Sequence, residues 1–400
     1  MLTQYFQPEP IFKGLPLAKA LRDRGHQVEV LTGFPNYPGG KIYDGYKLRL
    51  WQREKMDGIN VIRVPLYPSH DRGGLRRMFN YMSLSLSASA IGPWLIQKPD
   101  VIYIYNLVTL GAASRILRLF NRCKVVIDVQ DLWPESVASS GMMKSTFAMG
   151  VLTHWCRRQY SKADRLIVLS PGFKANLVAR GIAISKIDVI YNWCDETAIR
   201  VPEPNPDEAR KWGMEGRFNI VFAGTMGVMQ SLDAVLEAAR LLRDQFPDVL
   251  FTFVGGGIDV ERLKELSTAQ DNIQFLPQQP QTEIGNIYSN ANALLVHLKD
   301  DPVFRITIPS KIQAYLYAGK PILCGVRGDA ANLVNDSGAG ISFEPENAES
   351  LANAVGLLRK MDPVKLCEMG LRGRDFYSRN LSFKTGVDQI ESVFRDVIQA

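Results

Sequence analysis

The stretch FRITIPSKIQAYLYAGKPIL, from Phe304 to Leu323, predicts a helix that leads directly into a buried strand. Ser310 and Gln313 match a Ser-x-x-Gln capping box, so we expect Ser310 to be the N-cap of a helix that begins at the next residue. Gly319 is expected to end this helix, and an apolar run follows at Pro321–Val326. A helix followed by a buried strand is the repeating unit of an α/β protein.

Apolar runs of the same kind recur along the chain, with amphipathic segments between several of them. The strands predicted in the first half are Leu2–Phe6, Val28–Thr32, Val61–Val64, Val101–Tyr105, Val125–Val129, Leu166–Leu169 and Asp188–Tyr191. Those predicted in the second half are Ile220–Ala223, Leu250–Val254, Ile273–Leu276, Ala293–Leu298, Pro321–Val326 and Gly340–Phe343. This alternation indicates mostly parallel sheets that are covered by helices on both faces.

A polar segment divides the strands into two similar series. Residues 195–216, DETAIRVPEPNPDEARKWGMEG, are rich in Pro, Glu and Asp and are interpreted as a linker. We therefore predict an N-terminal domain over residues 1–194 and a C-terminal domain over residues 195–383. The amphipathic residues 384–400 are expected to pack back on the first domain. Because ligands of parallel sheets bind beyond the carboxyl ends of the strands, we expect the chemistry in a cleft between the domains.

Composition and charge are those of an ordinary soluble protein. The 400 residues are 46% hydrophobic and 22% charged, and 47 basic against 41 acidic side chains give a net charge of +6. This mild excess permits anionic ligands or an anionic membrane surface and does not require nucleic acid. The five cysteines form no Cys-x-x-Cys pair and the four histidines are scattered, so we expect reduced thiols, a cytoplasmic location and no metal site. The chain opens almost at once on a strand, so we expect no signal peptide.

One uncharged segment raises the question of membrane contact. Residues 78–97 are long enough to span a bilayer, but their asparagine, serines and proline favour a partly buried helix. At the start of this segment, basic and bulky apolar residues alternate, as suits an anionic membrane surface; they are Arg72, Leu75, Arg76, Arg77, Met78, Phe79, Tyr81 and Met82. The alternative is a solvated helix start with a buried apolar side, and it stays open.

The loops that follow the first-half strands carry candidate binding residues. Gly14, with Lys13 beside it, opens a helix whose amides suit a phosphate, the alternative being the glycine of an ordinary strand–helix turn. The long loop GFPNYPGGKIYDGY offers aromatic faces that suit sugar rings or lipid stems, the alternative being a rigid Ω-type loop without ligand contacts. The segment DVQDLWPES places Gln130, Asp131 and Glu135 at a strand end, where a carboxylate suits orienting or deprotonating a sugar hydroxyl. Helix capping by Asp131 is the structural alternative.

The second half offers glycine turns and a cationic helix mouth. Gly224, and the glycines of FVGGGID, allow a ligand to approach the backbone closely. Neither Gly-x-Gly-x-x-Gly nor a Walker motif is complete there, which disfavours a nicotinamide or P-loop enzyme. Arg305 and Lys311 flank a helix mouth and suit a diphosphate, the alternative being a capped surface helix with two solvated charges. The pair Asp300–Asp301 is weak evidence for a metal.

Taken together, the motifs resemble those of family 4 glycosyltransferases over nearly the whole chain. The resemblance is carried by QYFQPEP, LTGFPNYPGGKIY, DLWPES, VIYNWCDE, FAGTMG, FVGGG and TIPSKIQAYLYAGKPIL. It is greatest to WbuB-type bacterial transferases, which are associated with N-acetyl-L-fucosamine in O-antigen and capsule assembly. It implies a GT-B fold, with two facing Rossmann-like parallel-sheet domains and an interdomain cleft. It further implies a UDP-sugar substrate, retention at the anomeric carbon, and no metal or other cofactor.

The sequence departs from the family pattern in three places. Many relatives carry two glutamates eight residues apart, where this chain has Ile306 and Ala314. The loop after the first strand of the second domain lacks the Arg and Lys common in relatives, so Arg305 and Lys311 are expected to hold the diphosphate instead. A His common in the first domain is replaced by Gln130.

The expected reaction moves a sugar from UDP to a polyprenyl-diphosphate-linked saccharide, at the inner face of the cytoplasmic membrane. The leaving phosphate is expected to help deprotonate the acceptor hydroxyl. The predicted catalytic residues are Asp131, Gln130, Arg305 and Lys311. The predicted donor-binding residues are Gly14, Asn192, Gly224, Thr225, Gly255, Gly257, Thr307, Pro309, Ser310 and Gln313. The predicted acceptor-binding residues are Asn36, Tyr37, Asn106 and Glu135.

Two other functions remain open at this point. A UDP-sugar 2-epimerase of the same fold would convert its substrate without an acceptor. A non-catalytic nucleotide-sugar-binding subunit would bind UDP-sugar and turn nothing over.

Overall fold

The computed structural model describes residues 1–69, 74–135 and 146–399. Contacts divide the chain into two compact units. The first unit comprises Met1–Ile190 together with Val387–Ala400, and the second comprises Tyr191–Gly386.

In the described part of the first unit, eight strands form one sheet. They are β1 Leu2–Thr3, β2 Glu29–Gly33, β3 Gln52–Met56, β4 Ile59–Val64, β5 Val101–Tyr105, β6 Lys124–Val129, β7 Arg165–Val168 and β8 Ile187–Val189. Their order is β3-β4-β2-β1-β5-β6-β7-β8, and adjacent strands from β4 to β8 pair in parallel. The strand order reverses around β1, and the carboxyl edge beside such a switch point is where open α/β sheets bind ligands.

The edge strand β3 is absent from the sequence prediction and makes the sheet mixed rather than purely parallel. It pairs antiparallel with β4, with Arg53 opposite Ile62. Its sequence, QREKM, carries three charges, and its residues alternate between half-buried and exposed. Charged side chains on an edge strand discourage pairing with other chains, and they also hide the apolar pattern on which strand prediction depends.

Five α-helices of the first unit lie within the described residues before the chain enters the second unit. They are α1 Leu15–Asp23, α2 Gly74–Leu95, α3 Leu110–Asn121, α4 Thr146–Lys162 and α5 Pro171–Ala179. Helix α1 buries Leu17, Ala18 and Leu21, the face that its amphipathic pattern predicts. Ala18 packs in a core cluster with Phe6 and with residues of β2 and β4, so α1 covers the sheet beside the switch point.

The described residues of the second unit form a six-stranded parallel sheet. Its strands are β9 Phe218–Ala223, β10 Val249–Val254, β11 Ile273–Leu276, β12 Ala293–His297, β13 Ile322–Gly325 and β14 Gly340–Ser342. Their order is β11-β10-β9-β12-β13-β14, so the switch point lies between β9 and β12. The helices are α6 Pro206–Lys211, α7 Asp233–Leu242, α8 Val260–Leu266, α9 Gln281–Ser289, α10 Pro302–Arg305, α11 Ser310–Ala318, α12 Asp329–Asp336, α13 Ala348–Lys360 and α14 Pro363–Asn380.

Two local predictions in this unit are wrong. The segment interpreted as a linker contains α6, whose N-cap Asn205 accepts a hydrogen bond from the Asp207 amide at 2.8 Å. Helix α11 begins at Ser310, one residue before the predicted start, and its N-cap is Pro309, which makes no side-chain cap. Because proline has no N–H, the reciprocal bond of a capping box cannot form there.

The last helix, α15 Phe383–Gln399, enters the first unit at Val387. The buried Glu391 carboxylate pairs with Arg24 and His26, each at 2.9 Å. Phe394 packs edge-on against Tyr103, with ring centroids 5.5 Å apart. The C-terminal part of α15 therefore helps to build the first unit.

No helix in the described ranges has both the length and the apolarity needed to cross a membrane. Helix α2, which contains most of the uncharged segment, buries Asn80 and Ser85 among its inward-facing residues.

Candidate functional site

A buried ion pair lies beneath the carboxyl edge of the first sheet. The ammonium of Lys13 is 2.7 Å from Asp128 Oδ2, and neither side chain is exposed. Tyr103 donates its hydroxyl to the same oxygen at 2.5 Å, and the Gln130 amide nitrogen donates to Asp128 Oδ1. Lys13 is thus engaged inside the protein and not placed to receive a phosphate, which corrects the interpretation of this residue. Asp128, within a predicted strand, was not singled out by the sequence analysis.

The loop after β2 is held by a second buried carboxylate. Glu9 accepts hydrogen bonds from the amides of Asn36 at 2.7 Å and Tyr37 at 2.9 Å. Burial raises the pKa of Glu9, and these backbone donors oppose that shift. Asn36 is itself buried, and its amide bonds to Phe34 O and to Asn80. These contacts give Asn36 a supporting place beneath the loop rather than a surface for an acceptor.

Four predicted residues lie around the ends of β5 and β6. Asn106 has a φ of 79°, a left-handed conformation that is uncommon for residues other than glycine. Its backbone N–H donates to the backbone carbonyl of Asp128 at 3.2 Å. Asp131 is exposed at the end of β6. Glu135 forms an ion pair with Arg180, whose guanidinium also donates to Trp133 O. The fold thus brings Asn106, Gln130 and Asp131 to the carboxyl edge of the first sheet, whereas Glu135 is already paired with Arg180.

The first turn of α1 uses its amides within the protein. The Leu15 amide donates to Gln7 Oε1 at 2.8 Å. A Cβ on Gly14 would lie 2.3 Å from that same oxygen. A larger residue at this position would have to displace the side chains of Gln7 and Ile11, and the predicted donor contact of Gly14 gains no support.

In the second unit, Lys311 reaches back from α11 to the end of β9. Its ammonium lies 3.5 Å from the centroid of the Phe222 ring. A Cβ on Gly224 would lie 2.6 Å from Lys311 Cε, so the glycine makes room for the lysine. Burial lowers the pKa of Lys311 to about 7. Within the described residues no hydrogen-bond acceptor satisfies this amine, while the aromatic face offers a weaker cation–π contact.

Arg305 does not join Lys311 as the sequence predicts. Its guanidinium bonds to Asp300 Oδ1 through Nε at 3.1 Å and Nη2 at 3.0 Å. Asp300 also pairs with Arg327 at 3.3 Å. Asp300, one of the two aspartates considered as weak metal ligands, thus forms ion pairs with two arginines.

The glycine turns pack against each other. A Cβ on Gly255 would lie 2.2 Å from Gly224 O, and one on Gly257 would lie 1.9 Å from Met226 O. The Met226 amide donates to Gly256 O at 2.8 Å. Backbone-to-backbone packing thus accounts for Gly255 and Gly257 without a ligand, while Thr225 between the turns is exposed.

The mouth of α11 differs in detail from the prediction. Thr307 donates its hydroxyl to Val303 O at 2.9 Å. Ser310 is exposed, and Gln313 is buried with its amide nitrogen, in the orientation that satisfies its neighbours, 3.0 Å from the carbonyls of Pro309 and Ser310. Asn192 is half-buried at the start of the unit. Ser310 is therefore the most accessible hydroxyl at this mouth.

A network that the sequence analysis missed fixes the loops around the second site. His297, buried at the end of β12, bonds through Nδ1 to Gln230 O at 2.7 Å and accepts the Glu346 amide on Nε2 at 2.9 Å. Glu346 in turn accepts from Ser231 and from the Asp300 amide. The signal in the sequence was a histidine at the end of a predicted strand. It was missed because the four histidines were considered only as possible metal ligands.

The described residues contain no group of three or more side chains suited to hold a metal ion. The second unit instead presents a desolvated ammonium above a glycine turn. Such an amine suits an anionic group, since a phosphate would restore the interactions that burial removed.

Two protein-family models match consecutive parts of the chain. Residues 15–193 match the model described as "Glycosyl transferase 4-like domain". Residues 205–369 match the model described as "Glycosyl transferases group 1".

Two curated relatives and one solved structure are similar over most of the chain. The putative colanic acid biosynthesis glycosyl transferase WcaI of Escherichia coli K12 is 24% identical over 350 residues, 84% of each chain. The probable glycosyltransferase WbjE of Pseudomonas aeruginosa is 24% identical over 289 residues, 71% of each chain. Anabaena HepE, solved with UDP and glucose, superposes with a TM-score of 0.66 at 17% identity and covers 98% of each chain.

Proposed function

Because the chain belongs to the family 4 glycosyltransferases of GT-B fold, we propose that it transfers a sugar from a UDP-sugar to a hydroxyl of a lipid-linked saccharide. The observation that carries the donor part is the desolvated Lys311 amine beside Gly224. UDP as the nucleotide is supported by HepE, which shares the fold and was solved with UDP.

Lys311 is proposed to neutralise the leaving diphosphate. Negative charge grows on the phosphate oxygens as the glycosidic bond breaks, and a preorganised cation lowers the barrier when it meets that charge. Lys311 is fixed by its contacts with Phe222 and Gly224, so little reorganisation is needed. Arg305 contributes only if it exchanges Asp300 for phosphate, which gives it a secondary place in the proposed clamp.

The acceptor hydroxyl is proposed to bind at the carboxyl edge of the first sheet, beside Asn106, Gln130 and Asp131. An exposed carboxylate there suits orienting the incoming hydroxyl. We propose that the leaving phosphate takes the proton on the same face of the sugar, which gives retention without a covalent enzyme intermediate. Metal independence is part of this proposal, because the clamp assigns charge neutralisation to side chains.

The biological setting is proposed to be surface polysaccharide biosynthesis. WcaI is named for colanic acid biosynthesis, and the motifs LTGFPNYPGGKIY and IPSKIQAYL resemble WbuB-type transferases. We accordingly propose N-acetyl-L-fucosamine, or a related deoxyamino sugar, as the transferred group. The chain would act at the inner face of the cytoplasmic membrane on a polyprenyl-diphosphate-linked acceptor.

The solvent side of α2 supports peripheral membrane contact. Leu75, Phe79, Leu86 and Trp94 are 75%, 64%, 71% and 74% exposed, and they recur at helical spacing along one side of the helix. Arg76 is exposed on the same side, whereas the predicted contact Arg72 lies outside the described residues. An outward-facing apolar stripe disfavours the alternative of a solvated helix start whose apolar side is buried. We propose that the stripe inserts shallowly into an anionic membrane surface.

A donor screen tests the proposal. Purified protein is incubated with a panel of UDP-sugars and lipid-linked acceptors, with and without EDTA, and products are read by mass spectrometry. The expected result is an acceptor one sugar heavier. Conversion of the UDP-sugar without acceptor would establish the epimerase alternative, and binding without any turnover would establish the non-catalytic one.

A further inference from the structure

We propose that Asp128 is a positioning residue that fixes the amide of Gln130, so that its carbonyl oxygen accepts a hydrogen bond from a hydroxyl or acetamido N–H of the substrate. This role rests on the transferase function proposed above and deepens it, because it names the group of the sugar that is recognised.

Asp128 can meet Gln130 in one orientation only. A carboxylate paired with an ammonium offers acceptors and no donor. Lys13 and Tyr103 both donate to Oδ2, which leaves Oδ1 for the Gln130 amide nitrogen. Turning the amide over would place two acceptor oxygens against each other inside the protein, where such repulsion is poorly screened.

The same contacts account for the buried lysine. Lys13 and Asp128 have no exposed side-chain surface, and an unpaired buried charge is costly. The Lys13 ammonium therefore holds the Asp128 carboxylate beneath the site. This carboxylate in turn fixes the neutral side chain of Gln130 above it. Lys13 acts through Asp128 on Gln130 instead of touching a phosphate itself.

Fixing the nitrogen determines what Gln130 offers to a ligand. Gln130 is half-buried at the end of β6, next to the exposed Asp131. Its amide oxygen carries two lone pairs, so it can serve a substrate donor even when a protein donor also contacts it. An amide neither gains nor loses a proton near neutral pH. Gln130 thus selects a hydroxyl or N–H group and leaves proton transfer to other groups, which revises its predicted catalytic role.

Three variants separate positioning from simple structural support. Gln130→Met keeps the length of the side chain and removes the amide. Lys13→Met combined with Asp128→Leu replaces the buried ion pair by apolar side chains of similar size, a change that proteins often tolerate. The third variant carries all three substitutions. UDP titration and thermal unfolding of each variant verify that the chain is folded.

The kinetic readout uses the donor–acceptor pair found in the screen. Each of the first two variants is expected to lose roughly 3- to 10-fold in kcat/KM, as removal of one neutral hydrogen bond predicts. The third variant is expected to lose no more than Gln130→Met alone, because the ion pair acts through Gln130. Losses that multiply in the third variant, or wild-type kcat/KM in Gln130→Met, would overturn the positioning role.

A second readout needs no substrate. In protein labelled with ¹⁵N-glutamine, the side-chain amide signals missing from Gln130→Met identify Gln130. The expected signals are shifted downfield and exchange slowly, since one N–H is held by a carboxylate, and both properties are lost in the apolar pair variant. Unchanged signals in that variant would contradict the inference. Absence of sugar transfer by the wild type would refute the proposed function, while these signals would still decide the orientation of the amide.

Discussion

At the scale of single residues, Lys311 is expected to give UDP binding a distinct pH dependence. In the protein without UDP, burial lowers the pKa of Lys311 to about 7, and a bound diphosphate raises this pKa again. The complex therefore holds a proton that the free protein loses above pH 7. UDP affinity should be highest below pH 7 and fall by up to about tenfold per unit above it. Calorimetric titrations at pH 6.5, 7.5 and 8.5 measure this slope.

Two variants serve as controls for this dependence. Lys311→Met is expected to bind UDP at least about tenfold more weakly at pH 6.5, since a charged hydrogen bond is lost, and to show a flatter pH profile. Arg305→Ala should keep the full slope, because its guanidinium is already engaged by Asp300. An unchanged affinity in Lys311→Met would remove this lysine from the donor site.

His297 is expected to make the protein less stable in mild acid. Burial lowers its pKa, and its ring nitrogens bond to Gln230 O and to the Glu346 amide in a pattern that a neutral ring satisfies. The unfolded chain takes up a proton below about pH 6.5, so stability is lost as pH falls through that range. Melting temperatures at pH 7.5 and 5.5 should differ less in His297→Gln than in the wild type. His154→Gln, which changes an exposed histidine of α4, should leave the difference intact.

Residue partners were the least predictable feature of the site. The sequence singled out Lys311 as a candidate, because a cation at a helix mouth that follows a strand end is typical of an anion site, and its binding of the donor stays a prediction. It paired this lysine wrongly with Arg305, since a spacing of six residues does not reveal that Asp300 lies closer to the arginine. Asp128 and His297 were missed because their importance comes from residues distant in sequence, such as Lys13 and Glu346.

At the scale of elements, the buried strands were predicted well and the polar edges poorly. Strands β5 and β11 have the predicted bounds. Strand β5 is a continuous apolar and aromatic run, whereas the half-buried edge strand β11, IQFL, was found although Gln274 interrupts its apolar residues. Strand β3 was missed because its charges mask the alternation. Helix α6 was missed because a six-residue helix within a proline-rich segment leaves too short a pattern to detect.

The C-terminal helix α15 is expected to depend on Glu391. Hydrogen bonds from His26, Arg24 and Arg395 lower the pKa of this carboxylate to about 2. Glu391→Gln should destabilise the protein by about 1–3 kcal/mol at pH 7, measured by urea unfolding. A carboxylate whose pKa is lower in the folded than in the unfolded chain stabilises the fold at any pH above its unfolded pKa. The stabilisation by Glu391 should therefore fade as pH falls from about 4.5 towards 2. The exposed Glu368→Gln is the matched control, and an equal loss there would show that Glu391 has no special role.

Helix α2 is expected to carry the binding to anionic vesicles. Phe79 and Leu86 are exposed on one side, so Phe79→Gln with Leu86→Gln should abolish the part of vesicle binding that resists high salt. Arg76→Glu should weaken only the salt-sensitive part, at about 1 kcal/mol per basic residue. Leu357→Gln, which changes an exposed leucine of α13, should bind as the wild type does. Co-sedimentation at low and high salt separates these cases, and undiminished binding of the double variant would place the membrane face elsewhere.

At the scale of the whole molecule, the hydrophobic pattern predicted the fold, and the resemblance to known motifs predicted the class of enzyme. Alternating strands and helices were enough to predict two α/β halves, and the motifs were enough to predict a glycosyltransferase, the class of enzyme that both family models describe. The donor sugar and acceptor depend on which hydroxyls meet which side chains. Such contacts vary among proteins that share one fold, so neither the fold nor the motifs determine them.

The second unit is expected to fold and bind UDP when residues 191–386 are produced alone. It has its own sheet and core, and its two ends are already bonded to each other. The Cys194 amide donates to the Tyr377 hydroxyl at 3.1 Å, and the Phe383 amide donates to Glu196 at 2.7 Å. Residues 1–190 alone should be much less stable, because they lose the helix that carries Glu391. Adding residues 387–400 through a flexible linker should restore their cooperative unfolding, and failure of residues 191–386 to bind UDP would show that the donor site needs the first unit as well.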